Sequence, residues 1–528
     1  MNRLSRWAAV AALSGACAAA LAYAASSPSA AGSPASAAAA GASNALGAAS
    51  AADALPPASA AAAASSSPST LALDAQSTQS AMNAASAASA ANAAVAAGVA
   101  PTASTVDRGR YLVDAGDCVA CHTAEGGQPF TGGRPLKTPF GTVLSANLTP
   151  DDETGIGRYT ADTFYRALHE GLDRDGHHLY PAFPYNYYTQ LTRQDSDAIL
   201  AYLRSLKPVH HALQRNQLPF PFSVRAIVAG WNLMFLDKGP FAPDAAKSAA
   251  WNRGAYLVRG LGHCGACHTP KNVLGAPKHE HELQGGRFAN LFAPDITPNR
   301  RSGVGNWSRD ELLEFLRQGR NAHSAASAEM GEVAEFSTSR MSDADLGAIA
   351  TYLADRPPAP AATFSAPDSA TMAQGHAIWQ DTCSACHQAN GEGVPRYFAP
   401  LKANANLQQA DPTTVLHFIL AGTRHAPTVA APTPFSMPPF DWKLNDEQVA
   451  AVATYARNSW GNAAAPVTAS EVAELRAKLA QERTAPAAAP PTSMQHPGPL
   501  TLAPAGTDSR DNGGQQAGQP ARAASQPH

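Results

Sequence analysis

Cys118-Val-Ala-Cys121-His122, Cys264-Gly-Ala-Cys267-His268 and Cys383-Ser-Ala-Cys386-His387 are three copies of one pattern, and together they decide how the chain reads. They use six of only 7 cysteines in 528 residues. With 17 His in the chain, chance would place such a pentapeptide roughly 0.003 times. Thiols three positions apart lie on one face of a helical turn, where both can form thioethers with the two vinyl groups of one haem. The His that follows then meets the iron from the same side. A structural zinc site needs two such Cys pairs or a Cys pair with spaced His, and a thioredoxin-like dithiol needs no following His. The pattern therefore predicts three covalently bound c-type haems held by Cys118, Cys121, Cys264, Cys267, Cys383 and Cys386, with His122, His268 and His387 on the metal. A unit of about 100 residues buries little surface alone, so each haem becomes much of its own core.

Such attachment takes place outside the bacterial cytoplasm, which predicts an export signal. Met1-Asn-Arg-Leu-Ser-Arg6 is cationic, Trp7 to Leu21 is apolar, and Ala22-Tyr23-Ala24 has the small-x-small form of a cleavage site. Residues 1–25 thus read as a signal peptide that includes Cys17. The alternative is an uncleaved anchor, since Trp7 to Ala25 approaches the ~20 residues of a membrane span. Residues 26–106, almost all Ala, Ser, Pro, Thr and Gly, cannot repay their ordering entropy and read as a disordered tether. Residues 462–528 read as a low-complexity tail, with a short charged helical pattern between Ala469 and Arg483. Lys+Arg 38 against Asp+Glu 41 gives a net charge of -3, which leaves no basic excess for nucleic acid.

The remainder repeats. Arg108-Gly-Arg-Tyr-Leu-Val113 precedes the first motif, Arg253-Gly-Ala-Tyr-Leu-Val258 the second, and the looser Gln374-Gly-His-Ala-Ile-Trp379 the third, each with helical spacing of large apolar residues. Each repeat closes on a helix containing a Tyr: Asp195 to Leu203, Asp343 to Leu353, and Asn445 to Arg457. Aligning Tyr202, Tyr352 and Tyr455 makes Leu191, Met341 and Leu444 equivalent, so Met341 reads as packing and not as a ligand. Asn147 to Tyr159 matches Asp295 to Trp307, and these loops read as either ordinary turns or the source of an acceptor for the proximal His ring N–H. The third repeat has Asn390-Gly-Glu-Gly-Val-Pro395 and Pro400-Leu401 instead. The boundaries are 107–210, 250–358 and 370–461, with 211–249 linking the first two, and each repeat is expected to close its own core.

These residues, together with Gly132-Gly-Arg-Pro-Leu-Lys-Thr-Pro-Phe-Gly141, Leu179-Tyr-Pro-Ala-Phe-Pro-Tyr185 and Trp231-Asn232, resemble the three-haem cytochrome c subunits of bacterial membrane-associated dehydrogenases. That group serves quinoprotein alcohol dehydrogenase, flavin-dependent gluconate and sorbitol dehydrogenases, and molybdenum hydroxylases acting on aldehydes or on N-heterocycles such as nicotinate. The similarity covers about 107 to 461. It implies a mainly α fold of three consecutive class I cytochrome c domains at the periplasmic face of the inner membrane. It also implies a catalytic dehydrogenase partner (molybdopterin, quinoprotein or flavoprotein) and ubiquinone or a terminal oxidase as acceptor. The long Ala/Ser tether departs from the family pattern, and the C-terminus lacks the amphipathic anchor helix of some members.

The family motif carries the distal thioether of the third haem to Met437, in Ser436-Met-Pro-Pro-Phe440, 54 positions after Cys383 (437 − 383). For the second haem the candidate is Met330, 66 positions after Cys264 (330 − 264), with His323 less suited. Phe183 holds the corresponding slot of the first domain, 65 positions after Cys118 (183 − 118), and Phe cannot bind iron. That domain contains no Met, and Met234 reads as packing between domains. The first iron is then five-coordinate, water-bound or ligated by a nearby His: His178 is the named candidate, beside His177 and His169. The leading function is an electron-transfer subunit without catalysis of its own. A free-standing tethered shuttle is the second reading, and a haem peroxidase working through an open distal side is the third.

Overall fold

Gly109, Gly254 and Gly375 occupy one position in the three repeats, and each sits where two helices cross. The computed structural model describes residues 103–484 apart from 361. The expected signal segment, Cys17, the tether before 103 and the tail beyond 484 lie outside the described residues.

The first repeat runs α1 (Ala103–Ala115), α2 (Cys118–Cys121), a hairpin of β1 (Pro135–Thr138) and β2 (Gly141–Leu144), α3 (Ala161–Glu170), α4 (Tyr185–Tyr188) and α5 (Arg193–Ser205). A linker helix, α6 (Ala226–Phe235), follows. The second has α7 (Ala249–Tyr256) ending in a π turn, α8 (Gly265–His268), a hairpin of β3 (Gln284–Phe288) and β4 (Leu291–Asp295), α9 (Arg309–Gln318), α10 (Ala328–Phe336) and α11 (Asp343–Ala354). The third has α12 (Ser369–Ile378), again ending in a π turn, α13 (Ser384–His387) and α14 (Thr413–Ala421). It continues with the short pair β5 (Thr423–Arg424) and β6 (Ser436–Met437), then α15 (Asp446–Arg457) and α16 (Ala469–Thr484).

In each repeat the opening helix lies across the closing one. A Cβ on Gly109 would meet Ala198 O at 1.9 Å, one on Gly254 Ala348 O at 2.0 Å, and one on Gly375 Ala451 O at 2.3 Å. Only glycine admits backbone that close. The closing helices start at capped residues, Thr192, Ser342 and Asn445, whose side chains accept from the N–H of Asp195, Asp345 and Gln448. Leu191, Met341 and Leu444, the residues before these caps, are all buried.

Two differences from the sequence reading stand out. The first two repeats do not close separate cores. One continuous core joins Leu112, Leu200 and Tyr202 to Leu257, Leu346 and Tyr352, while the third repeat has its own around Trp379, Leu416 and Val452. The cause is a reciprocal exchange about a pseudo-twofold. Arg108 holds Asp195 within the first repeat, and Tyr256 of the second donates to the same carboxylate. Arg253 holds Asp345 within the second at 2.8 and 2.7 Å, and Tyr111 of the first donates to it at 2.6 Å. The third repeat carries Gln374, Ala377 and Gln448 at these positions and has no such groups to exchange.

The second difference is at the end of the fold. Helix α16 lies inside the expected tail, yet Val472, Leu475 and Leu479 are buried against the third core, and Arg476 bonds Asp446 at 2.7 Å. The packed chain therefore runs to 484, because the spacing i, i+3, i+7 makes an apolar stripe among the charges.

Burial pushes the Asp345 carboxyl up, but the Arg253 guanidinium, Tyr111 and Arg108 more than offset this and hold it below the usual carboxylate range. Its folded pKa is thus lower than its unfolded one, so its stabilisation is present above the usual carboxylate range and is lost as pH falls through the depressed value. Asp345→Asn is expected to cost about 1–2 kcal/mol near neutral pH and to flatten the acid limb of a denaturation profile. An unchanged acid limb would remove Asp345 as its source.

Candidate haem-binding sites

The first two Cys-x-x-Cys-His stretches follow a sharp reversal at the end of an opening helix, and the third continues directly from the π turn Trp379–Cys383. Asp117 and His263, just before the first Cys of their motifs, take left-handed backbone with φ 53 and 37. Among the described residues the six cysteines are free, and each pair lies on one short helical turn. Burial pushes the Cys118 thiol up, those of Cys121 and Cys264 to about 12, and those of Cys267 and Cys383 to about 11. A neutral sulfur, as in a thioether, suits such surroundings better than a thiolate.

The three histidines are held alike. His122 Nδ1–H donates to Ala146 O at 2.7 Å, His268 Nδ1–H to Pro294 O at 2.7 Å, and His387 Nδ1–H to Ala399 O at 3.0 Å. This bond fixes the tautomer and leaves Nε2 with its lone pair. Burial lowers the proton affinity of all three rings, so they stay neutral. The acceptors stand one residue before the loops starting at Asn147 and Asp295. There Asn147 Oδ1 accepts from Thr149 N and Asp295 Oδ1 from Thr297 N, two turns that fix the preceding carbonyl. In the third repeat Pro400 follows the acceptor.

On the other side, Met330 lies on α10 against the shared core and against Ala326, Ala334 and Ala426, which pack between the second and third repeats. Met437 lies on β6, paired with Thr423, and a Cβ on Gly422 would meet its carbonyl at 2.6 Å. Phe183 packs into the shared core with its ring 5.5 Å from Tyr188. The candidate His178 sets its Nδ1 3.4 Å from Asn232 Nδ2 on α6. His177 turns to Asp173 at 3.2 Å, and His169 is buried, stacked on Tyr165 at 3.8 Å, and pushed down by burial to about 4. His323 bonds Glu311 at 2.9 Å. Met234 is exposed on α6 and does not pack between domains as expected.

Several residues at the junctions escaped the sequence reading. Tyr187 and Tyr188 are consecutive on α4, and Tyr187 reaches the Cys264–Cys267 turn while Tyr188 lies by Cys118 and Cys121. Cys121 and Cys267 are near enough for each repeat's attachment turn to feel the other's charge. Arg134 spans the same junction, donating to Ala120 O at 2.7 Å and pairing with Glu332 of α10 at 2.8 Å. His425 sits by His387, and its backbone bridges Ser327 at the start of α10. Their one sequence signal was Arg134 within the quoted Gly132–Gly141 motif; the others carry none.

The donor sets fit a covalent haem: a free Cys pair on one turn and a neutral His whose other nitrogen is already engaged. The family model described as Cytochrome c matches residues 106–207 and 372–460, and that described as Cytochrome C oxidase, cbb3-type, subunit III matches 249–353. The chain is therefore a c-type cytochrome, a class that holds haem covalently and transfers electrons.

It is 41% identical to the gluconate 2-dehydrogenase cytochrome c subunit of Pantoea cypripedii, over 70% of this chain and 89% of that one. It is 38% identical to the cytochrome c subunit of the quinone-dependent alcohol dehydrogenase of Gluconacetobacter polyoxogenes, over 71% and 84%. A nicotinate dehydrogenase subunit of Pseudomonas putida is 41% identical over 71% of this chain, which spans 32% of that longer protein. The chain belongs to the family of dehydrogenase cytochrome c subunits.

Proposed function

We propose that the chain carries three haems, one in each repeat, and passes electrons from a periplasmic dehydrogenase to ubiquinone or a terminal oxidase. Bound haem supplies one-electron exchange, which couples a two-electron oxidation elsewhere to a one-electron chain. Cys118, Cys121, Cys264, Cys267, Cys383 and Cys386 hold the groups, and His122, His268 and His387 ligate from the side whose carbonyl partners fix them. Met330 and Met437 supply the distal thioethers of the second and third. The first repeat offers Phe183 in that place, with His178 as its candidate ligand. The periplasmic face of the inner membrane is the proposed location.

The observation that carries this reading is the arrangement of the three sites. The first two attachment turns adjoin at Cys121 and Cys267, and the Met330 helix adjoins the loop leading from His425 to Met437. A chain built this way brings neighbouring sites together instead of spacing them as separate modules. Pyridine haemochrome titration of the matured protein is expected to give about three haems per chain; two or fewer would refute the count. A catalytic chain is expected to co-purify, and its substrate to reduce the haems.

A further inference from the structure

Arg320 and His425 bring two buried donors to one place and give them nothing to bond. Arg320 Nε and His425 Nδ1 are closed off from solvent, and neither has a hydrogen-bond partner among the described residues. A buried donor without an acceptor carries its full desolvation cost, most of all where the group is charged. Among the described residues no carboxylate acts on Arg320: the cation it feels is Arg396, which is itself paired with Glu314 at 2.9 Å. Arg320 is also particular to one repeat. Gly171, Gly319 and Gly422 close equivalent helices, and Leu172, Arg320 and Thr423 follow them. A guanidinium here serves no part of the scaffold that the repeats share.

The two donors stand at one edge of the third attachment site. His425 is near enough to Arg320 and His387 to feel the charge of both. The Arg320 guanidinium lies 5.5 Å over the Phe435 ring, and its Nη1 reaches Thr433 O at 3.5 Å. Phe435 packs in turn on Tyr397 at 5.0 Å and on Phe398 at 6.4 Å. Phe398 comes just before Ala399, whose carbonyl holds His387, and Phe435 stands two residues before the proposed ligand Met437. The loop behind one axial side and the strand of the other therefore meet here, which makes this an edge of the haem site and not a face. The cysteines mark a different edge: Cys383 feels Lys443 and Asp381, which bond each other at 2.9 Å. In a haem the two carboxylate side chains lie across the ring from the vinyl groups that become thioethers.

We infer that Arg320, a residue of the second repeat, and His425 hold a carboxylate of the third haem, so that the second repeat helps to set the potential of the third site. The planar guanidinium fork suits a carboxylate, and a neutral imidazole with its proton on Nδ1 adds a second donor. Both are positioning residues, since neither meets the iron. Their seat is braced across the repeats: Arg320 bridges Ala325, Ser327 bridges His425, and Ala426 N donates to Ala326 O at 3.4 Å. Reduction adds an electron to the haem, so a cation at its carboxylates favours the reduced state. The inference rests on the proposed three-haem reading and adds a residue that ties one repeat's cofactor to its neighbour.

The test is a potentiometric titration of the haem-loaded full chain, in which the third haem is the component that Cys383→Ala with Cys386→Ala removes. Arg320→Gln is expected to make that component about tenfold harder to reduce, ~59 mV for a one-electron couple, with haem content unchanged and the other components in place. Arg320→Lys keeps the charge without the fork and should shift it less. His425→Leu should shift it in the same direction by a smaller step. The haem propionate bending band in resonance Raman spectra should move in Arg320→Gln, which a merely structural role would leave in place. A third component unmoved by both Arg320→Gln and His425→Leu, or a shift confined to another haem, would overturn the inference. So would a potential in the unaltered chain that falls with phosphate and not with chloride at equal ionic strength, because the site would then take a free anion. Three haems with an unmoved third component strike this inference alone, whereas a third haem missing from the unaltered chain strikes the three-haem reading and this inference with it.

Discussion

Replacing Cys264 and Cys267 together by alanine is expected to damage two repeats, whereas replacing Cys383 and Cys386 damages one. On the proposed three-haem reading each double variant removes one haem, so each should retain about two-thirds of the haem of the unaltered chain if nothing else changes. The packing predicts that something else does change in the first case. The proposed site of the second haem lies in a core continuous with that of the first repeat, and Tyr256 and Tyr111 exchange hydrogen bonds across the seam with Asp195 and Asp345. Without its haem the second repeat loses much of its interior. The first then loses its neighbour's apolar face and a donor to buried Asp195. The third repeat has its own core and meets the second through the small cluster Ala326, Ala334 and Ala426 and through polar contacts such as Thr414 with Phe292, His417 with Asn290 and Arg287 with Asp411, none of which belongs to the shared core, so its loss should leave that core intact. Limited proteolysis with mass spectrometry should yield a stable fragment containing the first two repeats from the Cys383/Cys386 variant. The Cys264/Cys267 variant should yield none containing the first repeat. Equal protection of the first repeat in both variants would show that the shared core does not couple them.

The contrast between those variants marks how far the sequence could be read. The attachment motifs, the opening and closing helices and the equivalence of Leu191, Met341 and Leu444 are local patterns, and the chain places all of them as the spacing implies. Helical periodicity and caps are written within a few residues of where they act. The exchange of Tyr111 and Tyr256 between repeats joins residues 234 and 61 positions apart, and no local rule carries it. The signal was present as a difference: the first two repeats share Arg, Tyr and Asp at positions where the third has Gln374, Ala377 and Gln448. Helix α16 was legible as a helix but not as part of the fold, because its Ala-rich charged composition matches that of the tail around it. The place of His425 beside His387 depends on a strand pair only two residues long, β5 with β6, which no periodicity can reveal.

Within the proposed three-haem reading, the first haem is expected to have the lowest potential of the three, and Phe183→Met is expected to raise it. Two sequence counts assign Phe183 to the slot proposed for Met330 and Met437: it stands 65 positions after Cys118 where Met330 stands 66 after Cys264, and 19 before Tyr202 where Met437 stands 18 before Tyr455. A thioether on the distal side favours the reduced iron, and axial ligation moves haem potentials over a range of ~0.8 V. Phe offers no lone pair, so the first site lacks that contribution. The exchange of Phe for Met nearly conserves volume in a slot bounded by Tyr188 and should cost less than about 1.5 kcal/mol, so a change in potential would report ligation and not unfolding. Electron paramagnetic resonance with potentiometric titration is expected to show two Met-ligated low-spin haems and a third species of lower potential. The substitution should convert the third into the first kind. The same spectra identify what holds the first iron now. His177 is turned to Asp173 on an exposed loop, so His177→Ala should leave the third species unchanged. His178 is seated against Asn232, and loss of a bis-His signal in His178→Ala would mean that its ring leaves Asn232 for the iron when haem is bound. Three equivalent Met-ligated haems in the unaltered chain would refute the assignment of Phe183 to the ligand slot.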